Sequence, residues 1–287
     1  MTNLTHYLGA DPKRLSTFAY YEAKLGAEHL SATATVVVQS FEAMGLSAFV
    51  DGKSIGTTHE ITHGNGAAKV LTIPQAPDGN VSSVLDHATA GSTLTILAEE
   101  LGYANYGFKS ELLKGIAVAP DAVSMNGAPV KGEWTMRGGL AGEHAGIYAP
   151  SVSAAVAWTP VTGTVEPATW LKTSFATPDG VADGAAQLHL DVSGLQRGRI
   201  WLNGHEVGRY WSLERDDGTA CPFGASKCPT QQFYHLPAAW LRPGAKNELV
   251  IFETLGGDPS AVGLATAAMA SGAGPTVAVD RIVSCEY

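Results

Sequence analysis

Gly198-Arg-Ile-Trp-Leu-Asn-Gly-His-Glu-Val-Gly-Arg-Tyr-Trp211 decides the fold. Trp201-Leu202 is an apolar, strand-forming pair, and Asn203-Gly204 is the dipeptide that most readily takes the positive φ angles of a tight hairpin. His205 to Trp211 then runs back as a second strand. Leu46-Ser-Ala-Phe-Val-Asp-Gly-Lys-Ser-Ile-Gly56 repeats the design, with Asp51-Gly52 at its turn. Gly52 and Gly204 are 152 residues apart, as are Gly56 and Gly208. Downstream, Thr93-Leu-Thr-Ile-Leu-Ala-Glu-Glu-Leu-Gly102 echoes Asn247-Glu-Leu-Val-Ile-Phe-Glu-Thr-Leu-Gly256 at an offset of 154. At that offset Glu99 is the counterpart of Glu253. A period this long signals duplicated domains rather than a solenoid.

Other segments have the same character. Ala34-Thr-Val-Val-Val38 and Leu188-His-Leu-Asp-Val192 are β-branched or alternating runs bounded by turn residues. Helical periodicity is nearly absent. Glycine is abundant, at 33 residues, and only 16% of the chain is charged, which suits strands joined by tight turns. The expectation is an all-β chain of two tandem β-sandwich domains. Domain one is placed at 14–135 and domain two at 168–287. Residues 136–167 are expected to form an ordered connecting strap that buries Trp134 at its margin together with Tyr148 and Trp158.

Composition excludes several functions. Eighteen Lys and Arg stand against 27 Asp and Glu, a formal charge of −9, and no basic run occurs, so a nucleic-acid partner is not expected. No apolar stretch approaches the ~20 residues of a membrane helix, so no membrane insertion is expected. Met1-Thr-Asn-Leu-Thr-His-Tyr7 has neither the basic nor the apolar region of a secretory signal. An intracellular location follows if Met1 is the true start. The sequons at Asn3 and Asn80 are too few to argue for secretion.

The quoted stretches resemble the C-terminal jelly-roll region of plant-type β-galactosidases, which are retaining glycoside hydrolases. Gln231-Gln-Phe-Tyr-His-Leu-Pro-Ala-Ala-Trp-Leu-Arg-Pro243 and Leu249-Val-Ile-Phe-Glu-Thr-Leu-Gly-Gly-Asp-Pro259 resemble it too. So do Phe18-Ala-Tyr-Tyr21, Leu101-Gly-Tyr-Ala-Asn-Tyr-Gly107 and Lys114-Gly-Ile116. Trp134-Thr-Met-Arg-Gly-Gly-Leu-Ala-Gly-Glu143 is similar to the family's interdomain connector, and Trp170 to Gly180 to the opening of its last domain. The resemblance implies two tandem jelly-roll β-sandwich domains of galactose-binding-domain type. It also implies a protein partner, either a catalytic barrel or a larger assembly, and β-galactoside glycans as candidate ligands. Secreted and vacuolar locations are common in the family. That family carries its catalytic glutamates on an N-terminal barrel, and nothing in this sequence resembles the barrel. No catalytic residue is therefore assigned. The expected role is non-catalytic, in binding or assembly. The alternatives are the C-terminal portion of a β-galactosidase and a weak galactose lectin.

The site residues follow from the hairpin. Trp211 offers a flat ring for the apolar face of a sugar, with Arg209, His205 and Asn203 to bond its hydroxyls and Tyr210 as a further aromatic. Trp201 and Tyr210 are read as facing the core. Cys221 and Cys228 are a candidate disulfide, given an oxidising compartment; the family's turn at this point carries more cysteines. Cys285 is left over. His59-Glu-Ile-Thr-His63 matches the zinc-protease pattern, but that pattern needs a helix to aim both imidazoles at one metal, and here it follows a β-turn. It is read as a solvated loop. Asp216-Asp217-Gly218 is read as an acidic turn. A retaining glycosidase needs two carboxyls about 5 Å apart, and Glu99 and Glu253 fall in different domains. No cofactor or metal is expected.

Overall fold

The computed structural model describes residues 17–31, 34–41, 45–59, 69–73, 85–100, 115–117, 119, 121–213, 231–268 and 277–281. Cys221, Cys228, Cys285, Glu60 to His63, and Asp216-Asp217-Gly218 lie outside them. The chain divides into two compact units, Met1–His144 and Ala145–Tyr287. Both are all-β jelly-roll sandwiches built from antiparallel strands.

Unit one holds β1 (Phe18–Lys24), β2 (Val36–Phe41), β3 (Gly45–Val50), β4 (Lys53–His59), β5 (Lys69–Ile73), β6 (Thr93–Glu99), β7 (Gly115–Ile116), β8 (Val123–Met125), β9 (Ala128–Pro129) and β10 (Thr135–Gly138). Its front sheet has the order β10-β1-β6-β3-β4 and its back sheet β5-β2-β8-β9, with β7 also on β2. Ala19, Tyr21, Leu46, Ala48, Leu94 and Ile96 from the front meet Val36, Val38, Ile73, Val123 and Met125 from the back. These alternate along their strands, as burial of one sheet face demands.

Unit two holds β11 (Thr169–Ala176), β12 (Ala186–Asp191), β13 (Arg197–Leu202), β14 (His205–Trp211), β15 (Phe233–Leu236), β16 (Lys246–Glu253), β17 (Gly263–Ala268) and β18 (Val277–Arg281). The front sheet runs β11-β16-β13-β14 and the back sheet β15-β12-β17-β18. Leu171, Ile200, Leu202, Tyr210, Leu249 and Ile251 face Leu188, Leu190, Leu236 and Leu264. Each such aliphatic side chain contributes roughly 1.5–3 kcal/mol by leaving water.

The segment expected as a strap contributes to both units. β10 adds an edge to the front sheet of unit one through Glu22↔Thr135 and Ala19↔Gly138. The Trp134 indole donates to the Val130 carbonyl there (3.2 Å). From residue 145 the chain runs with unit two. Tyr148 stacks on Trp201 at 5.2 Å, and Trp158 lies over the Lys172 ammonium at 5.6 Å.

The duplication is carried by backbone geometry. The β3–β4 and β13–β14 hairpins both bulge one residue before their aromatic, between Ala48 and Phe49 and between Ile200 and Trp201. Gly56 and Gly208 share φ near the same value, 139° and 132°. Asp51 and Asn203 both sit at positive φ, 49° and 52°. The Asp51 carboxylate accepts from the Thr93 N–H (2.8 Å), and the Asn203 side-chain carbonyl accepts from the Glu248 N–H (2.9 Å).

That bond corrects the sequence alignment. Thr93 corresponds to Glu248, an offset of 155 rather than 154, so the counterpart of Glu253 is Ala98 and not Glu99. The faces agree. Leu94, Ile96 and Ala98 point into the core of unit one, as Leu249 and Ile251 do in unit two. Glu253 continues the inward row, while Glu99 lies on the opposite face of its strand. A one-residue slip in a strand exchanges every side chain between faces.

Candidate functional site

The hairpin β13–β14 is an edge of the front sheet in unit two, and it sorts the expected site residues by face. Tyr210 points inward and is 1% exposed. Its hydroxyl donates to Glu253 at 2.6 Å. The same carboxyl accepts the N–H groups of Gln196 (3.0 Å), Arg197 (3.3 Å) and Leu255 (2.8 Å). Burial pushes the Glu253 carboxyl up to about 7, against the pull of these four hydrogen bonds. Glu253 therefore fastens the hairpin to the loop after β16, and no ligand can reach it.

Gly198 makes this arrangement possible. A Cβ there would lie 1.8 Å from the Phe252 carbonyl oxygen and 2.8 Å from the Tyr210 ring. Only glycine lets the tyrosine ring cross β13 at that point.

Asn203 is also consumed internally. Its amide donates to the Trp240 carbonyl (2.8 Å) and to the Asn247 side chain (2.9 Å). Asn247 in turn accepts from the Arg242 N–H (2.7 Å) and donates to the Thr177 hydroxyl (2.9 Å). Asn203 and Tyr210 are thus corrected from sugar-contact candidates to structural residues, because their polar atoms are buried and engaged. Asn247, fully buried at the centre of this network, was missed; no spacing in the sequence marks it.

Trp201 is buried, as expected, but against the other side of the sheet. Its ring lies between Tyr148 and Trp170, both at 5.2 Å, with the Arg199 guanidinium 5.4 Å away. Trp170 continues the series to Phe252 at 5.0 Å. Glu206 on β14 pairs with Arg199.

Three expected residues remain accessible: Trp211, Arg209 and His205. Trp211 and Arg209 pair across the hairpin with Arg197 and Arg199. The Arg197 guanidinium sits 4.4 Å over the Trp211 ring. The Trp211 backbone is bracketed by Tyr234, whose hydroxyl accepts its N–H (2.7 Å) and donates to its carbonyl (3.3 Å). His205 lies at the turn, stacked on Trp240 at 5.1 Å. Six residues of extended strand separate His205 from Trp211, about 20 Å. One sugar ring cannot touch both. The accessible candidates therefore form two separate places, Trp211 with Arg209 and His205 with Trp240.

A polar groove of about 360 Å³ opens at β11 and β16. Lys172, Ser174, Arg242, Lys246 and Glu248 line it. Lys172 and Glu248 are paired across it at 3.0 Å.

Comparison with known proteins finds similarity to β-galactosidases. The family described as β-galactosidase, galactose-binding domain, matches residues 168–247. The matched residues run from the start of β11 into β16 of unit two. β-Galactosidase 8 of Arabidopsis thaliana is 30% identical over 239 residues, covering 76% of this chain and 26% of that protein. β-Galactosidase 6 of Oryza sativa subsp. japonica is 33% identical over 192 residues, 60% of this chain and 22% of that one. The chain thus spans about a quarter of the length of these curated relatives. Among solved structures, Streptomyces avermitilis α-L-rhamnosidase aligns over 93% of this chain and 26% of its own, at 16% identity and a TM-score of 0.23. A Pleurotus ostreatus lectin in complex with GalNAc aligns over 94% and 79%, at 14% identity and 0.21. Likenesses this remote carry neither fold nor ligand across.

Proposed function

We propose that this chain is a non-catalytic module of a β-galactosidase-like protein and acts in binding or assembly. The observation that carries this reading is the state of Glu253. Burial raises its carboxyl to about 7, which in a cleft would mark a general acid. Here it is sealed under Tyr210 and three backbone N–H groups, as a fastener. The accessible hairpin surface, Trp211 with Arg209, is the candidate contact for a galactoside or a partner.

A second reading is favoured by the span of the relatives. This chain corresponds to about a quarter of each, so it also fits as the supporting part of a β-galactosidase whose catalytic barrel lies elsewhere.

Native mass measurement from the source, with mass spectrometry of what co-elutes, separates the two. Association with a barrel-bearing galactosidase polypeptide supports the second reading; a complex with unrelated proteins supports a free-standing assembly module. Under both, the isolated chain leaves a chromogenic β-galactoside intact, and turnover by the purified chain would sink them together. Glycan binding that Trp211→Ala abolishes in a folded protein would assign the lectin role.

A further inference from the structure

The back sheet of unit two sets two histidines side by side. β12 and β15 are antiparallel, with His189 directly opposite His235. One step beyond the strand ends, the Val192 N–H donates to the Gln232 carbonyl at 3.1 Å. Hydrogen-bonded and non-bonded pairs alternate along an antiparallel ladder. Val192–Gln232, Leu190–Tyr234 and Leu188–Leu236 are therefore the bonded pairs, and His189–His235 is a non-bonded one. In such pairs the side chains stand closest, with Cα atoms only about 4.5 Å apart.

Leu188, Leu190 and Leu236 lie in the core. Strand alternation then sends both imidazoles to the outer face of the sheet. Their ring centroids are 5.4 Å apart, edge to face at 62°. His235 is exposed and His189 half-buried. On its other flank His189 pairs with Ala265 of β17, a small residue that is itself buried. His235 can turn its ring about χ1 and χ2 without leaving the pair. Asp191, two residues along, is not an available neighbour, because it accepts from Ser193 and Gln232.

We propose that His189 and His235 form a two-imidazole chelate for a divalent transition-metal ion, with water completing the coordination. Imidazole suits Zn²⁺, Ni²⁺ and Cu²⁺ rather than Mg²⁺ or Ca²⁺, and Cu²⁺ should bind most tightly of the three. Among the described residues there is no group of three or more His, Cys, Asp or Glu side chains able to hold a metal. The site is accordingly a surface chelate rather than a closed structural centre. It lies on the back sheet, away from the hairpin that carries Trp211, and does not depend on the reading of that surface.

The test is titration of the full chain with Ni²⁺ and Zn²⁺ by calorimetry, beside His189→Gln, His235→Ala and the double variant. Two ligands on one rigid frame bind far more tightly than one, because the second contact is intramolecular. Each single variant should lose about tenfold or more in affinity, and the double variant should lose less than the product of the two single losses. That non-additivity is the signature of a shared ion. Metal should also raise the unfolding midpoint of the wild type, and EDTA should reverse the rise. Metal-free unfolding of the variants, matched to wild type, shows that they fold. The proposal is overturned if wild type binds neither ion at millimolar concentration, if the double variant binds as wild type does, or if the two single losses simply add.

Discussion

The two units solve one problem differently. At the middle of the front sheet unit one places Leu46, Ala98 and Thr58, and unit two places Gly198, Glu253 and Tyr210 at the same register positions. Unit one fills the space with apolar atoms. Unit two empties one position, lays a tyrosine ring across it and anchors that ring with a buried carboxyl. The three changes are coupled. Gly198 is needed for Tyr210 to cross, Tyr210 for Glu253 to be satisfied, and Glu253 for the N–H groups of Gln196, Arg197 and Leu255. An apolar core tolerates piecemeal change, whereas a polar triad of this kind does not.

The sharpest way to break the comparison is to give unit two the residue of unit one. Gly198→Leu drives a side chain into the Phe252 carbonyl and the Tyr210 ring. The expected loss is about 4 kcal/mol or more, since backbone lies in the way and cannot repack. Five of the six tryptophans belong to unit two, so fluorescence during urea unfolding reports on it. The midpoint of that transition should collapse. An unchanged midpoint would mean that the triad is not coupled as described.

The next largest effect is one of pH. The folded Glu253 carboxyl titrates at about 7, above its ordinary 4.5. Between those values the folded state holds a proton that the unfolded state has lost. Stability is therefore complete below about pH 4.5 and declines as pH rises through 7, by on the order of 3 kcal/mol. Urea unfolding of unit two at pH 5 and pH 8 reads this directly. Tyr210→Phe removes the strongest donor, costs about 2 kcal/mol and moves the decline to higher pH. Glu253→Gln should abolish the slope yet still destabilise, because its amide N–H₂ would face donors. A wild type more stable at pH 8 would refute the assignment to Glu253.

The turns give a smaller contrast. Asn203 and Asp51 hold the same left-handed backbone, but Asn203 is buried in a network with Trp240 and Asn247. Asn203→Ala should cost about 2–3 kcal/mol, combining unsatisfied partners with a strained φ. Asp51→Ala loses its bonds to Thr93 and Ser92 at the surface and should cost about 1 kcal/mol. Comparable losses at the two sites would show that backbone strain, rather than burial, sets the energy of this turn.

Where local chemistry decides the conformation, the sequence was readable. Asp51-Gly52 and Asn203-Gly204 announce the hairpins, and the offset of 152 announces the duplication; the bulge they share appears only in the structure. What could not be read depends on register over long separations. The echo at 154 pairs two glutamates that share a letter but not a face, because the strand offset is 155. Trp201 reads as a core residue from its neighbours, yet its ring is buried beneath Tyr148, more than 50 residues earlier. His189 and His235 are 46 residues apart, and only the β12–β15 pairing brings them together.

The smallest prediction separates the two turns by their response to acid. The Asp51 carboxyl is held below its ordinary range by the Thr93 N–H first and the Ser92 hydroxyl second. A lowered carboxyl stabilises above its unfolded value, and the benefit is lost as pH falls through the lowered one. Asp51 is exposed, so water screens the effect to below about 0.5 kcal/mol. Its counterpart Asn203 has no proton to gain. Between these two turns, a response to acid should therefore belong to that of unit one, while the response near neutral pH comes from Glu253 of unit two. Amide exchange at Thr93 and Glu248, the two N–H groups held by these turn residues, distinguishes them. Corrected for intrinsic rates, protection of Thr93 should weaken below pH 4 and that of Glu248 should not, and Asp51→Asn should remove the difference. Equal weakening at both amides would mean that acid acts on a feature the two turns share, and not on the one residue that distinguishes them.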